Sequence, residues 1–99
     1  MLSVLEFYIM PSIDEQFDHA ANEVKKLKQT PSNEELLTLY GLFKQATMGD
    51  NNTEAPSTIN FKAKSKWDAW TSRKGLSQEA AKQSYVEAAN ALIKKYGIN

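Results

Sequence analysis

The residues best suited to chemistry in this chain are aromatic and basic side chains at helical spacing. Tyr40, Phe43 and Lys44 fall within five consecutive positions, so on one helix they emerge from adjacent turns. A ring beside an ammonium suits a nucleotide, because the ring stacks on a base and the ammonium meets a phosphate. Lysines at such a site must cluster, since exposed charge pairs contribute under about 1 kcal/mol each. The candidate set is Tyr40, Phe43, Lys44, Lys66 and Tyr85, with Lys25 as an additional member.

A second interpretation of the same residues is structural. In this structural interpretation the lysines are solvated surface residues and the tyrosines belong to a core. On these residues alone, the structural interpretation is favoured over a nucleotide site. The sequence gives no support for catalysis either. It has one histidine, His19, which we expect at the surface, no cysteine, and no HExxH or GxSxG motif. We therefore predict no enzyme activity, no catalytic residue and no metal site.

The element that must position most of these side chains is a helix over residues 31–49. Ser32 and Glu35 have the spacing of a capping box, and Gly49 is a typical helix stop. The apolar residues extend too far around the helix for a single packing face. We expect two faces: a core face of Leu39, Leu42 and Ala46, and a binding face of Leu36, Tyr40, Phe43, Lys44 and Thr47.

Three more amphipathic helices are predicted, with no strand signal, which indicates an all-α bundle. The first begins at Ser12 and ends before Pro31, the third covers residues 61–74, and the fourth runs from Ser77 to Gly97. Residues 50–60 are rich in turn formers and predict a long loop between the second and third helices. We expect Ile59 to tuck inward from this loop.

Composition limits the function classes. The chain has 99 residues, which fit one domain, and a formal net charge of zero, which argues against a broadly basic nucleic-acid binder. The basic residues of positions 62–74 outnumber the one acid among them, Asp68, so a local anionic partner is plausible. No apolar run approaches the roughly 20 residues of a membrane span, and we expect no stable membrane insertion. Absence of cysteine permits a cytoplasmic location, and residues 1–11 are expected to be an extension rather than a signal peptide.

Two longer stretches resemble a known family. PSNEELLTLYGLFKQATMGD, which starts at Pro31, and FKAKSKWDAW, which starts at Phe61, are similar to the signatures of the acyl-CoA-binding proteins, and the similarity runs from about Phe17 to Gly97. The resemblance implies a four-helix bundle of skewed up-down-down-up type over residues 12–99. It implies a non-catalytic intracellular carrier of medium- to long-chain fatty acyl-CoA esters that transports them and buffers their pool. Such a carrier needs no cofactor, and we expect a cytoplasmic monomer that does not bind nucleic acid.

The resemblance also implies roles for individual residues. Tyr40, Lys44, Lys66 and Tyr85 would contact the adenine nucleotide and its 3′-phosphate, with Lys25 nearby. The acyl groove would be bordered by Leu36, Leu37 and Leu39. Phe43 stands where many members have tyrosine, so a hydrogen bond to phosphate at that position is lost, at a cost of about 0.5 to 1.5 kcal/mol.

Three other functions are kept as alternatives. The basic and aromatic residues of positions 61–70 could serve a nucleic-acid-binding bundle, which salt titration would detect. The apolar N-terminus could make the chain a protein-interaction module that dimerises, which light scattering of the full-length and truncated chains would detect. An enzyme acting on acyl-CoA is the weakest alternative, because no residue set supplies a nucleophile with its base.

Overall fold

The computed structural model describes residues 11–99 and has four α-helices, with no β-strand in that range. A single 3-10 turn, Val24–Lys26, extends the first helix. The fold class predicted from the sequence is confirmed. The extension predicted over residues 1–11 lies, apart from Pro11, outside the described residues. The helices are α1 Ile13–Glu23, α2 Asn33–Met48, α3 Phe61–Thr71 and α4 Gln78–Tyr96.

The helix starts follow the sequence signals closely. Ser12, Ser32 and Ser77 each accept a hydrogen bond from the amide three residues later. At Ser32 the capping box is complete, because the Glu35 carboxylate also accepts a bond from the Ser32 amide at 2.9 Å. The Asn60 side chain caps α3 by accepting a hydrogen bond from the Ala63 amide. This cap was not predicted from the sequence. Each start is therefore fixed by a local side chain.

Helix α1 ends before Pro31, as predicted, whereas α3 ends earlier than predicted. After Glu23 the chain tightens into the 3-10 turn and then pairs with the C-terminus, where the Lys28 amide donates to the Gly97 carbonyl at 2.9 Å. Helix α3 stops at Thr71, three residues before the predicted end. The Lys74 amide there bonds the Thr71 carbonyl, three residues back, so the chain turns toward Gly75 instead of continuing the helix.

Helix directions follow from contacts between their ends. Asp14 and Lys82 form an ion pair of 2.6 Å between the starts of α1 and α4, so these two helices run parallel. The Gln78 side chain, at the start of α4, donates to the carbonyl of Ala46 near the end of α2, so α2 runs antiparallel to α4. With α3 parallel to α2, as its contacts below establish, the order is up, down, down, up.

Helices α2 and α3 approach each other closely at Gly41. A Cβ atom at that position would lie 2.9 Å from the carbonyl carbon of Ala69 and nearer still to its oxygen, so only glycine permits this approach. The two helices are in register, since Tyr40 pairs with Lys66 and Lys44 with Trp70. This register places the predicted basic residues of α3 beside the aromatic residues of α2.

The core lies where α1, α2 and α4 meet. Small alanines such as Ala81 and Ala89 are fully buried and let α4 pack tightly on its neighbours. Leu39, Leu42 and Ala46 are buried, as the predicted core face of α2 requires. The buried cluster consists of Phe17, Ala20, Leu39, Leu42, Ala46, Ala81, Tyr85, Ala89 and Leu92.

The loop between α2 and α3 is anchored at its beginning rather than its end. Asn51 is buried and donates to the Thr71 hydroxyl at 3.0 Å, and its side-chain oxygen accepts the Thr53 amide. The Trp67 indole N–H in turn donates to Thr53. Ile59 lies in the turn just before α3 and is 85% exposed, so the prediction that it tucks inward is wrong. The polar anchors at residues 51–53 already hold the loop.

Candidate binding cleft

Two adjoining cavities lie along the α2–α3 contact. The larger one, here called the apolar groove, has a volume of about 550 Å³ and follows the first turns of both helices. The smaller one, here called the loop cleft, has a volume of about 270 Å³ and lies under the α2–α3 loop. Tyr40 and Lys66 line both. The apolar groove is lined by Asn33, Leu36, Leu37, Tyr40, Phe61, Lys62, Ser65 and Lys66, and the loop cleft by Tyr40, Thr53, Glu54, Pro56, Ala63, Lys66, Trp67 and Trp70.

Two lysines lie over aromatic rings along the α2–α3 contact. Lys66 Nζ lies 4.8 Å from the centre of the Tyr40 ring, and Lys44 Nζ lies 4.7 Å from that of Trp70. Among residues 11–99 neither lysine forms an ion pair. A ring face attracts an ammonium by only about 0.5 to 1 kcal/mol at exposed sites, whereas a charged hydrogen bond is worth about 1.5 to 3. A charged hydrogen bond would therefore outweigh the ring contact at either ammonium group.

The ring of Trp70 is itself fixed. Its indole N–H donates to the Gly49 carbonyl at 2.8 Å, and the side chain is buried. Gly49 is the residue at which α2 ends, with a positive φ of 78°. Because Trp70 belongs to α3, this hydrogen bond ties the end of α2 to α3. Trp70 thus holds Lys44 from a rigid position.

An aromatic cluster joins α1, α2 and α4, and it includes Phe43, the neighbour of Lys44 in the sequence. The ring of Phe43 stacks on Phe17 with centres 5.5 Å apart, and Tyr85 packs edge-on to Phe17 at 5.0 Å. Phe43 is 39% exposed, while Tyr85 is 4% exposed and its burial raises the pKa of its phenol. The Tyr85 hydroxyl has no hydrogen-bond partner among the described residues. Phe43 therefore keeps part of its ring exposed to solvent, and Tyr85 packs beside it in the core.

The start of α2, which carries the groove-lining leucines, is fastened by Glu35. Its carboxylate accepts a 2.6 Å bond from the Tyr96 hydroxyl, a bond from the Ser32 amide and a 3.0 Å ion pair from Lys95. These contacts, in that order of size, lower the pKa of Glu35 from 4.5 to about 2. The end of α4 thereby holds the first turn of α2, and with it Leu36, in place.

The structure brings most of the predicted site residues together. Tyr40, Lys44 and Lys66 meet at the α2–α3 contact, Phe43 and Tyr85 share the adjoining aromatic cluster, and Leu36 and Leu37 line the apolar groove. Two candidates lie elsewhere. Leu39 is buried in the core, and Lys25 is exposed on the 3-10 turn after α1. Neither lines the two cavities, and the same is true of Phe43, Lys44 and Tyr85.

Several residues of the cleft were missed or underrated from the sequence. Trp67 and Trp70 both line the loop cleft, where Trp70 is buried, and neither was among the predicted site residues. Phe61 lines the apolar groove although it is 79% exposed. These α3 residues line the two cavities because α3 runs parallel to α2. Helical periodicity in the sequence does not reveal that direction.

Metal binding and membrane crossing find no support in the part of the chain from Pro11 to Asn99. No cluster of three or more histidine, cysteine or acidic residues there has the proximity to hold a metal ion. None of the described helices combines the length and the apolar character that a membrane span requires.

Comparison with known proteins gives a consistent result. A family model described as acyl CoA binding protein matches residues 14–89. The chain is 53% identical over 81 residues to acyl-CoA-binding protein homolog 1 of Caenorhabditis elegans, covering 82% of this chain and 94% of that one. It is 49% identical over 84 residues to the acyl-CoA-binding protein homolog of Drosophila melanogaster, covering 85% and 98%.

Solved structures agree with this similarity. The crystal structure of acyl-CoA-binding protein 2 from Oryza sativa superposes with a TM-score of 0.81 at 40% identity, covering 85% of this chain and 93% of that chain. The solution structure of the acyl coenzyme A binding protein from yeast gives a TM-score of 0.68 at 45% identity, with 85% and 98% covered.

Proposed function

Because this chain belongs to the acyl-CoA-binding protein family, we propose that it is a non-catalytic carrier of medium- to long-chain fatty acyl-CoA esters. The observation that carries the proposal is the junction at Tyr40 and Lys66, where an apolar groove adjoins a basic and aromatic surface. An acyl-CoA has the same division, with an anionic nucleotide head joined to an apolar tail. One ligand can therefore satisfy both surfaces at once.

The head of the ligand would lie against the aromatic and basic side chains. The exposed face of Phe43 and the ring of Tyr40 are suited to the adenine base, and Lys44 and Lys66 to the phosphates. The Tyr85 hydroxyl is a further donor for this group, and Lys25 would approach it from the 3-10 turn. Each sheltered charged hydrogen bond adds about 1.5 to 3 kcal/mol to binding.

The tail would lie in the apolar groove. Leu36 is 42% exposed and Leu37 half-buried, so both gain from being covered by an alkyl chain. Each methylene removed from water adds about 0.8 kcal/mol. Affinity should therefore rise with chain length until the groove is filled, and Leu39 would act from the core, as support beneath the groove.

The domain bounds, location and oligomeric state of the carrier are also part of the proposal. We assign the carrier domain to residues 12–99 and expect it to act as a cytoplasmic monomer that transports acyl-CoA and buffers its pool. A formal net charge of zero supports the absence of nucleic-acid binding, because that activity depends on neutralising many phosphates.

Titration calorimetry of the delipidated protein tests the proposal. Palmitoyl-CoA should bind tightly with one-to-one stoichiometry, and both CoA and palmitate should bind far more weakly, because each occupies only one of the two surfaces. A series of esters with shorter chains should lose affinity with each methylene removed. Equal affinity for palmitate and palmitoyl-CoA would contradict the assignment of the basic surface to the head.

A further inference from the structure

The apolar groove carries polar side chains that the nucleotide head does not account for. Three of the residues that line it have hydrogen-bond donors and are not assigned to the head; they are called the polar end below and are Asn33, Lys62 and Ser65. None of the lining residues is acidic, and the nearby Glu34 and Glu35 do not line the groove. The groove therefore combines an apolar wall with a cation and two neutral donors, and it has no carboxylate of its own.

The polar end lies where a ligand tail would finish. Asn33 is the first residue of α2 and precedes Tyr40 by two turns, which is about 10 Å at about 1.5 Å per residue. Because α3 is parallel to α2, Lys62, the second residue of α3, lies at the same end of the groove as Asn33. Ser65 follows Lys62 on the same face of α3, one turn closer to Tyr40. The two groove-lining leucines therefore stand between the head boundary and this polar end.

The described protein leaves these donors without partners. Lys64, also on α3, is neutralised by Asp68 at 2.6 Å, whereas Lys62 makes neither an ion pair nor a contact over an aromatic ring within residues 11–99. The Ser65 hydroxyl does not bond back to the preceding helical turn, as serine in a helix often does. The Asn33 side-chain amide likewise makes no hydrogen bond within that range. All three groups are therefore available to a ligand.

We propose that the polar end binds the terminal carboxylate of an ω-carboxyacyl-CoA, the CoA ester of a dicarboxylic acid. The carboxylate would pair with the Lys62 ammonium and accept hydrogen bonds from Ser65 and Asn33, while the alkyl part lies on the leucines. A plain tail ends in a methyl group, which can pair with none of these donors. The inference rests on the proposed function, since the head and the alkyl chain occupy the same surfaces, and it adds a second class of acyl chain to the ligands of the site.

Chain length decides whether such a ligand fits. The carboxylate of a short chain would stop beside Leu36 and Leu37, where a charge removed from water has no partner and is unfavourable. A chain that spans the roughly 10 Å from Tyr40 to the polar end brings its carboxylate within reach of Lys62. The ω-carboxyl group should therefore weaken the binding of short esters strongly and that of longer esters little.

Titration calorimetry of the full chain with matched pairs of esters tests the proposal. Hexanedioyl-CoA should bind about tenfold more weakly than hexanoyl-CoA, whereas dodecanedioyl-CoA should bind within about threefold of dodecanoyl-CoA. Lys62→Gln, at an exposed position, should lower the affinity for dodecanedioyl-CoA about fivefold at low salt and leave that for dodecanoyl-CoA unchanged. The matched control is Lys94→Gln, which removes the same charge from an exposed position on α4 and should change neither affinity.

The same titrations keep this proposal separate from the proposed function. Tight binding of dodecanoyl-CoA, with Lys62→Gln affecting both dodecyl esters equally or neither of them, overturns the dicarboxylate proposal and leaves the carrier function intact. An equal loss from the ω-carboxyl group at both chain lengths has the same meaning. Binding of dodecanedioyl-CoA that depends on Lys62, without binding of dodecanoyl-CoA or palmitoyl-CoA, supports the dicarboxylate proposal and overturns the carrier of plain esters. If no ester binds, both proposals are wrong.

Discussion

The ammonium group of Lys66 lies 4.8 Å from the centre of the Tyr40 ring, and both residues line the apolar groove and the loop cleft. This pair therefore stands at the boundary between the surface suited to a phosphorylated head and the surface suited to an alkyl tail. Since α2 and α3 are fixed here by the close approach at Gly41, the boundary is set by the fold rather than by mobile side chains.

Removing the lysines should weaken binding without weakening the fold. Lys44→Ala and Lys66→Ala should each reduce affinity for palmitoyl-CoA about 10- to 100-fold, because each loses a charged hydrogen bond of about 1.5 to 3 kcal/mol. Thermal melting should change little, since neither lysine has an ion-pair partner among the described residues. Lys94→Ala, an exposed lysine on α4, is the control, and wild-type affinity in both test variants would refute the assignment.

Tyr85 requires a milder substitution than alanine. Its ring is 4% exposed and packs on Phe17, so Tyr85→Ala should cost about 3 to 5 kcal/mol of folding stability, as for other buried aromatic side chains. Tyr85→Phe keeps the ring and removes only the hydroxyl. If that hydroxyl donates to the ligand, calorimetry should record a loss of about 0.5 to 1.5 kcal/mol in binding, with urea unfolding nearly unchanged. Unaltered binding by Tyr85→Phe would make the residue purely structural.

Phe43→Tyr should strengthen binding of the nucleotide head. The ring is 39% exposed, so a hydroxyl can be added at its solvent side without entering the core, and a new hydrogen bond to phosphate would raise affinity about 2- to 10-fold. Titration with free CoA isolates this effect from the tail. Phe61→Tyr, which adds the same hydroxyl at the apolar groove, should not change CoA affinity; an equal gain in both variants would argue against a specific contact at Phe43.

Acid should remove the contribution of Glu35 to stability. The pKa of this carboxyl is lowered from 4.5 to about 2 in the folded protein, chiefly by the Tyr96 hydroxyl, then by the Ser32 amide and Lys95. A lowered folded-state pKa stabilises the protein above the unfolded value, and that stabilisation declines as the pH falls from about 4.5 through about 2.

Urea unfolding of the wild type and of Glu35→Gln between pH 7 and pH 2 measures this contribution. The stability difference between the two proteins should shrink as the pH falls. Glu34→Gln removes a carboxyl from the same turn but none of these contacts, so it should show no comparable trend. A difference for Glu35→Gln that stays constant with pH would show that the Tyr96 and Lys95 contacts do not favour the charged form.

Local signals in the sequence predicted the helices well, and their spatial arrangement poorly. The serine caps and the capping box of Ser32 and Glu35 fix helix starts through contacts three residues apart, which a sequence contains in full. The parallel register of α2 and α3 depends on Gly41 meeting Ala69, a contact between distant positions that periodicity does not encode. Only the family resemblance supplied the helix order.

The candidate site shows the same limit. Tyr40 and Lys44 were found because they lie one turn apart, whereas the role of Trp70 in holding Lys44 required the packing of two helices. Ile59 was misplaced because a hydrophobic residue in a long loop is normally buried, but here Asn51 anchors the loop through its amide instead. Polar anchoring of this kind has no distinctive sequence pattern.

The most direct test of the account is an NMR measurement of the one-to-one complex with palmitoyl-CoA, recording intermolecular NOEs between the unlabelled ligand and the isotope-labelled protein. We predict contacts from the alkyl protons to the methyl groups of Leu36 and Leu37, and from the adenine protons to the rings of Tyr40 and Phe43. Alkyl contacts to Val86 and Ile13 instead, in the separate cavity between α1 and α4, would contradict the account.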